Sequence, residues 1–270
     1  MRVVLVIAGI DPSGGAGLIA DVATIAARGH HPAALPTALT VQDSARCHAA
    51  QPLDATWLER SLAVLLADVQ PAAIKIGMVG SAEIAQAIVR ALDGVTAPIV
   101  FDPVLRASVG VSLLEGDAQR ALAALVARAT LVTPNRHELA ALGGVTVTDR
   151  ASQQRAAEAL LARGARAVLA KGGHLEGAEV SDVLVQRGAD ARWLASPRVE
   201  GETPHGTGCA LATEIACALA EGHELVDAVA IGRARFMERI ARAVQVGGGR
   251  PFLGPAIRPS ASSLSSGNKY

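Results

Sequence analysis

Aromatic residues are nearly missing from this chain, at 2% of 270 positions. So thin a supply excludes the stacking platform on which single-stranded nucleic acids are held. An excess of charge of either sign is missing too. Lys+Arg and Asp+Glu stand at 25 each, which leaves no basic field to gather nucleic acid or anionic lipid. No apolar run approaches the roughly 20 residues that span a bilayer, and the stretch from Arg2 to Ala8 is too short for a secretory leader. Membrane and nucleic-acid partners are therefore not expected. The cysteines Cys47, Cys209 and Cys217 are odd in number and lack metal spacing, so a reducing cytoplasm is the simplest setting. Lysine occurs only as Lys75, Lys171 and Lys269, and nearly all positive charge is arginine. A lysine in an apolar context then stands out.

What is present is a globular composition, 50% hydrophobic and 19% charged, in a chain long enough for one substantial α/β core. Short β-branched runs over residues 3–8, 72–76, 98–101, 130–133 and 166–170 read as buried strands. Helical patterns fall over residues 18–27, 54–69, 81–92, 135–142, 152–163, 210–220 and 225–244, with Asp54 as a cap and Gly164 as a stop. This alternation predicts a parallel sheet with helices on both faces. From Gly247 the composition turns to Gly, Pro and Ser. One domain over residues 1–250 and a flexible tail over 251–270 are expected.

In such a sheet ligands bind beyond the carboxyl ends of the strands. Gly9-Ile10-Asp11, Lys75 to Met78, Asp102-Pro103, Thr133-Pro134-Asn135 and Lys171-Gly172-Gly173 all fall at predicted strand ends. Together they describe a site on one edge. The loop Gly14-Gly15-Ala16-Gly17 lacks the Gly-Lys-Ser/Thr ending of a P-loop. A tight turn for close helix packing fits it as well as a ligand contact does.

His205-Gly206-Thr207-Gly208-Cys209 carries the most information, because an apolar helical run follows at once. Glycines around a threonine turn backbone amides toward one point, and the helix dipole adds positive potential there. That arrangement suits phosphoryl transfer, which asks for charge neutralisation more than covalent work. The same helix start is expected to favour the thiolate of Cys209. A glycine-rich helix start beside a buried cysteine is the plainer alternative. Asp102 closes an apolar strand and Glu138 lies on the first turn of the next helix, so the two could hold Mg²⁺ with phosphate and water. Turn and helix-start roles remain open for both.

Taken in order, these motifs resemble the hydroxymethylpyrimidine/phosphomethylpyrimidine kinases of thiamine biosynthesis, within the ribokinase-like superfamily. The resemblance rests on Ala8 to Gly17 with Asp21, Thr37 to Gln42, Lys75 to Met78, Asp102 to Val104, Thr133 to Asn135 with Glu138, Lys171 to His174, and His205 to Cys209. It implies a three-layer α/β/α fold with a mainly parallel sheet, and ATP and Mg²⁺ as cofactors. The implied reaction is phosphorylation of 4-amino-5-hydroxymethyl-2-methylpyrimidine and then of its monophosphate. By position, Gly9, Asp21, Gln42, Met78 and Val104 are expected to line the pyrimidine pocket. Asp102 and Glu138 are expected at the metal, and Lys171, Gly206, Thr207 and Gly208 at the phosphates. Cys209 stands where the superfamily usually carries an aspartate base. The resemblance, with the apolar content, also allows a homodimer.

The chain departs from the pattern after Asp102-Pro103-Val104, where the family usually carries Lys-Ser-Gly-Asp and this sequence has Ser108-Val109-Gly110-Val111. Use of the already phosphorylated substrate is the step this puts in question. A pyridoxal or pyridoxine kinase on the same fold is the nearest alternative. A pyrimidine-binding protein without chemistry is the more distant one.

Overall fold

The structure is a computed structural model that describes residues 1–105, 116–173, 179–199 and 201–256. Its centre is a nine-stranded sheet in the order β3-β2-β1-β4-β5-β6-β7-β8-β9. These strands are β1 (Val3–Ile10), β2 (His31–Gln42), β3 (Cys47–Pro52), β4 (Ala73–Ile76), β5 (Ile99–Phe101), β6 (Leu131–Val132), β7 (Ala167–Ala170), β8 (Glu179–Gln186) and β9 (Arg192–Pro197). From β2 to β7 neighbouring strands run parallel, while β3, β8 and β9 add antiparallel edges.

Alternation along the central strands makes two cores. Leu5, Ile7, Ile74, Ile76, Phe101, Val132 and Val168 face α2 (Ala55–Asp68), α3 (Ala82–Ala91), α4 (Gly116–Arg128), α5 (Arg136–Gly143) and α6 (Arg150–Ala162). The intervening Val4, Val6, Ala8, Ala73, Val100, Leu131 and Leu169 face α1 (Gly17–Ala27), α7 (Thr207–Ala220) and α8 (Leu225–Ile240). The three-layer α/β/α architecture with a mainly parallel sheet is thus present. Because both faces are covered, the strands are apolar at nearly every position rather than at every second one.

The helix starts follow local chemistry. Asp54, Ser81 and Asn135 accept from backbone N–H groups at the first turns of α2, α3 and α5, and Asn135 forms a capping box with Glu138. Asp149 caps α6, which begins two residues before the expected Ser152 because Asp149 and Ser152 bind each other's backbone.

Several expectations are corrected. The pattern pointed to no strand at β2, β3, β8 or β9. β2 carries Pro32 and Pro36, which a strand tolerates because β3 joins it only from Ala38 onward. α8 ends at Ile240, short of the expected 244. The folded part also runs past residue 250. Phe252 bridges to both His205 and Val244, and buried Arg239 donates to the Gly254 carbonyl at 3.0 Å. Packing against a buried guanidinium overrides the loop-like composition there. The Ser108 to Val111 departure and His174 lie outside the described residues.

Candidate active site

The strand order reverses at β1, which has β2 on one side and β4 on the other, so a crevice opens beyond their carboxyl ends. Gly9 lies at this point, and a Cβ added to it would stand 3.2 Å from the Met78 Sδ. Thr37 Oγ1 donates to the Met78 carbonyl at 2.6 Å and so fastens the end of β4 to β2. Gln42, the last residue of β2, is half-buried and reaches His205 across 2.9 Å. Half-buried Val104 follows β5, its N–H donating to the Asp102 carbonyl at 2.9 Å. Gly9, Gln42, Met78 and Val104 therefore occupy one edge of the sheet.

Asp21 does not join them. It is 1% exposed, and its two oxygens accept from Lys75 Nζ at 2.6 Å and Thr213 Oγ1 at 2.6 Å. In this structure it is a buried ionic anchor, because α1 turns this face into the core. Lys75 is wholly buried at the end of β4 beneath Gly77, where a Cβ would come within 2.7 Å of the ammonium. Burial alone would lower its pKa, but Asp21, with Cys209 and Asp102 beyond it, raises the value instead. The ammonium stays charged.

The other side of the crevice is ionic and reachable. Lys171 directly follows β7, and its Nζ donates to Asp102 Oδ1 at 2.7 Å, an oxygen that also accepts from Thr133 Oγ1 at 2.9 Å. Burial pushes the Asp102 carboxyl up, yet Lys171 and Lys75 outweigh this and hold it below the ordinary range. The turn after Lys171 is tied down by Gly172 N–H donating to Asp182 at 2.8 Å, with Arg233 donating to the same carboxylate at 2.9 Å. Glu138 stands near this pair. Burial and the Asp102 charge push its carboxyl to about 7, against the pull of Lys171.

Gly206 to Cys209 close over both sides. Gly206 is the N-cap of α7 at φ +78°, a conformation that glycine adopts without strain. Its Cα packs on the Gly15 carbonyl, which leaves no room for a side chain. A Cβ on Gly208 would lie 3.1 Å from Lys171 Nζ and 3.4 Å from Asp102 Oδ2, so the first turn of α7 faces the lysine–carboxylate pair. Thr207, Gly208 and Cys209 are half-buried there. The Cys209 thiol is not favoured as a thiolate. Burial raises its pKa, and the nearby Asp21 and Asp102 add to that, against Lys75 and the Gly17 N–H. The thiolate expected from the helix start is not what this surrounding favours.

Among the described residues no group of three or more His, Cys, Asp or Glu side chains is placed to hold a metal. Two hard carboxylates, Asp102 and Glu138, do fit an ion that takes one or two carboxylates and completes its shell with phosphate and water.

Lys75 and His205 had drawn attention without a role, and Thr213 had drawn none. Thr213 lies one turn beyond Cys209 on α7 and donates to the Cys209 carbonyl at 2.9 Å as well as to Asp21. That four-residue spacing was the signal available. Lys75 was marked by the scarcity of lysine.

Fold and site together define a ribokinase-like protein. The model of the phosphomethylpyrimidine kinase family matches residues 11–253. The hydroxymethylpyrimidine/phosphomethylpyrimidine kinase of Streptomyces coelicolor is 38% identical over 253 residues, spanning 93% of this chain and 92% of that protein. The crystal structure of phosphomethylpyrimidine kinase from Clostridium difficile superposes with a TM-score of 0.75 at 32% identity, covering 88% of this chain and 99% of that one. Pyridoxal kinase from Staphylococcus aureus in complex with AMP-PCP gives 0.87 at 26% identity, covering 97% and 96%. The chain belongs to the phosphomethylpyrimidine kinase family.

Proposed function

We propose that this protein transfers the γ-phosphoryl group of ATP to the hydroxymethyl group of 4-amino-5-hydroxymethyl-2-methylpyrimidine, and then phosphorylates the monophosphate. The observation that carries this reading is the Lys171–Asp102 pair, 2.7 Å apart, facing the first turn of α7 with Gln42 across the crevice. Neutral groups form one side, and a cation with amides forms the other.

On the heterocycle side Gly9, Met78 and Val104 take the flat apolar ring, while the Gln42 amide offers a donor and an acceptor to the aminopyrimidine edge. On the phosphate side Lys171 neutralises ATP oxygens, and the N–H groups of Gly206, Thr207, Gly208 and Cys209 take up the charge of the transferring group. Asp102 and Glu138 would hold the Mg²⁺, which when bound would supply further charge neutralisation at the phosphates. Asp102 also orients the Lys171 ammonium.

Cys209 lies where the hydroxyl proton leaves. Burial keeps most of the thiol protonated, so only its thiolate fraction, which Lys75 favours, accepts the hydroxyl proton and becomes the thiol. A loose transition state needs that transfer only late, and the amides and Lys171 contribute most of the rate.

A pyridoxal kinase is the second reading, favoured by the TM-score of 0.87 to the Staphylococcus aureus enzyme. Against it stands 38% identity to a pyrimidine kinase compared with 26% to that enzyme. Mass-spectrometric product analysis with the pyrimidine alcohol and Mg-ATP tests the proposal. Mono- and diphosphate products are expected. Binding without magnesium-dependent turnover would overturn it.

A further inference from the structure

The Gln42 amide sits in a polar network whose other members, Thr40, His205 and Asp11, have no role above. As placed, Gln42 Nε2 lies 2.9 Å from His205 Nε2 and Gln42 Oε1 lies 3.4 Å from Thr40 Oγ1, an amide whose two ends exchange by a half-turn. His205 Nε2 also lies 2.8 Å from Asp11 Oδ2. Asp11 is a pinned carboxylate. It accepts from Ser13 N–H at 2.9 Å, Ser13 Oγ at 2.7 Å and Ala16 N–H at 3.0 Å. The imidazole is pinned as well. Its backbone N–H donates to the Pro251 carbonyl at 2.8 Å, the Phe252 ring lies tilted at 5.8 Å, and a Cβ on Gly15 would come within 2.6 Å of its Cδ2.

The two ends of a glutamine amide are nearly the same shape, so its partners decide which end faces which. An ionised carboxylate only accepts, so His205 Nε2 must carry the hydrogen that faces Asp11. A nitrogen in that state repels an amide N–H and welcomes an amide oxygen. Thr40 has one hydroxyl hydrogen, and it is engaged by the Ile10 carbonyl at 2.8 Å. Toward Gln42 its oxygen is then an acceptor. Both neighbours ask for the same orientation.

We propose that His205, held by Asp11, is a positioning residue that fixes the Gln42 amide with Oε1 toward the imidazole and Nε2 toward Thr40. One amide hydrogen and one oxygen lone pair are left for a ligand, in a set order. That order selects a heterocycle with an amino group beside a ring nitrogen over one with an oxo group there. The identity of the ligand rests on the pyrimidine reading; the hydrogen arrangement in the network does not.

The experiment has an arm for each part. In the ligand-free full chain labelled with ¹⁵N-histidine, the His205 signal is assigned by its loss in His205→Asn. It is expected to report a hydrogen on Nε2, and a bare Nε2 would overturn the proposal whatever the substrate proves to be. In kinetics, His205→Ala is expected to raise KM for the aminopyrimidine alcohol on the order of tenfold, the loss of about one well-placed hydrogen bond. KM for ATP is expected to hold. In a Gln42→Ala background the same substitution is expected to add nothing, and discrimination against a 4-oxo analogue is expected to shrink in His205→Ala alone. Additive effects, or an equal rise in KM for ATP, contradict a role through Gln42. Should His205→Ala fold poorly, Thr40→Val keeps the shape and loosens the amide from its other side. Unchanged discrimination in a well-folded Thr40→Val would also count against the proposal.

Discussion

Asp21 and Asp102 are both buried and both face a lysine, yet they differ in what surrounds them. Asp21 Oδ2 meets a lysine that is 0% exposed, and its other oxygen is taken by Thr213. Asp102 meets Lys171, whose side chain keeps 14% of its surface open toward the turn of Gly208. The first pair is closed and welds α1, β4 and α7 together. The second is open at one end, where a phosphate can share the lysine. A buried ion pair thus becomes scaffold or site according to whether its cation can still reach a third partner.

That contrast can be broken most forcefully at the closed pair. Lys75→Met leaves Asp21 buried and unpaired and is expected to cost about 3–5 kcal/mol in chemical denaturation. Adding Asp21→Leu is expected to recover most of it. No loss in the single variant would mean that the pair is not structural. At the open pair the effect moves to catalysis. Lys171→Met is expected to lower kcat/KM by about 10²–10³-fold, the value of one electrostatic contact to the transferring group.

A smaller effect is expected at Glu138, whose carboxyl is raised in the fold to about 7 from an ordinary value of 4.5. Between these values the folded state holds a proton that the unfolded state releases, so stability falls as pH rises and the full cost remains above 7. In metal-free buffer Glu138→Gln is therefore expected to raise the midpoint of unfolding above neutral pH and to gain nothing below about 4.5. A gain of equal size at both pH values would sink this account. The smallest change is expected at the thiol. Cys209→Ser is expected to lower kcat by no more than about 10²-fold, the low end of general-base catalysis. Because burial raises the thiol pKa, the wild-type rate is expected to climb at alkaline pH and the serine variant to stay flat.

Much of this was legible before the structure. The parallel core showed itself through β-branched runs ending in glycine or aspartate. The phosphate side was readable because Lys171, Asp102 and Gly206 to Cys209 each end or begin an element. The edges of the sheet were not readable. β8 and β9 carry Ser181, Asp182 and Arg192 among their apolar residues, and Asp182 is there to hold Gly172 and Arg233 rather than to face water. The lysine partner of Asp21 was not readable, because a carboxylate one turn into a helix reads the same whether it faces a ligand or a lysine. Only the burial of Lys75 separates the two cases, and burial of a single residue is a tertiary fact.

The central claim is that one side of the crevice chooses the heterocycle while the other performs the transfer. Its most direct test compares kcat/KM for the aminopyrimidine alcohol and for pyridoxal in wild type and Gln42→Ala. The account predicts that wild type prefers the pyrimidine and that the preference collapses in the variant, with KM for ATP unchanged. A preference for pyridoxal, or a ratio that Gln42→Ala leaves untouched, would contradict it.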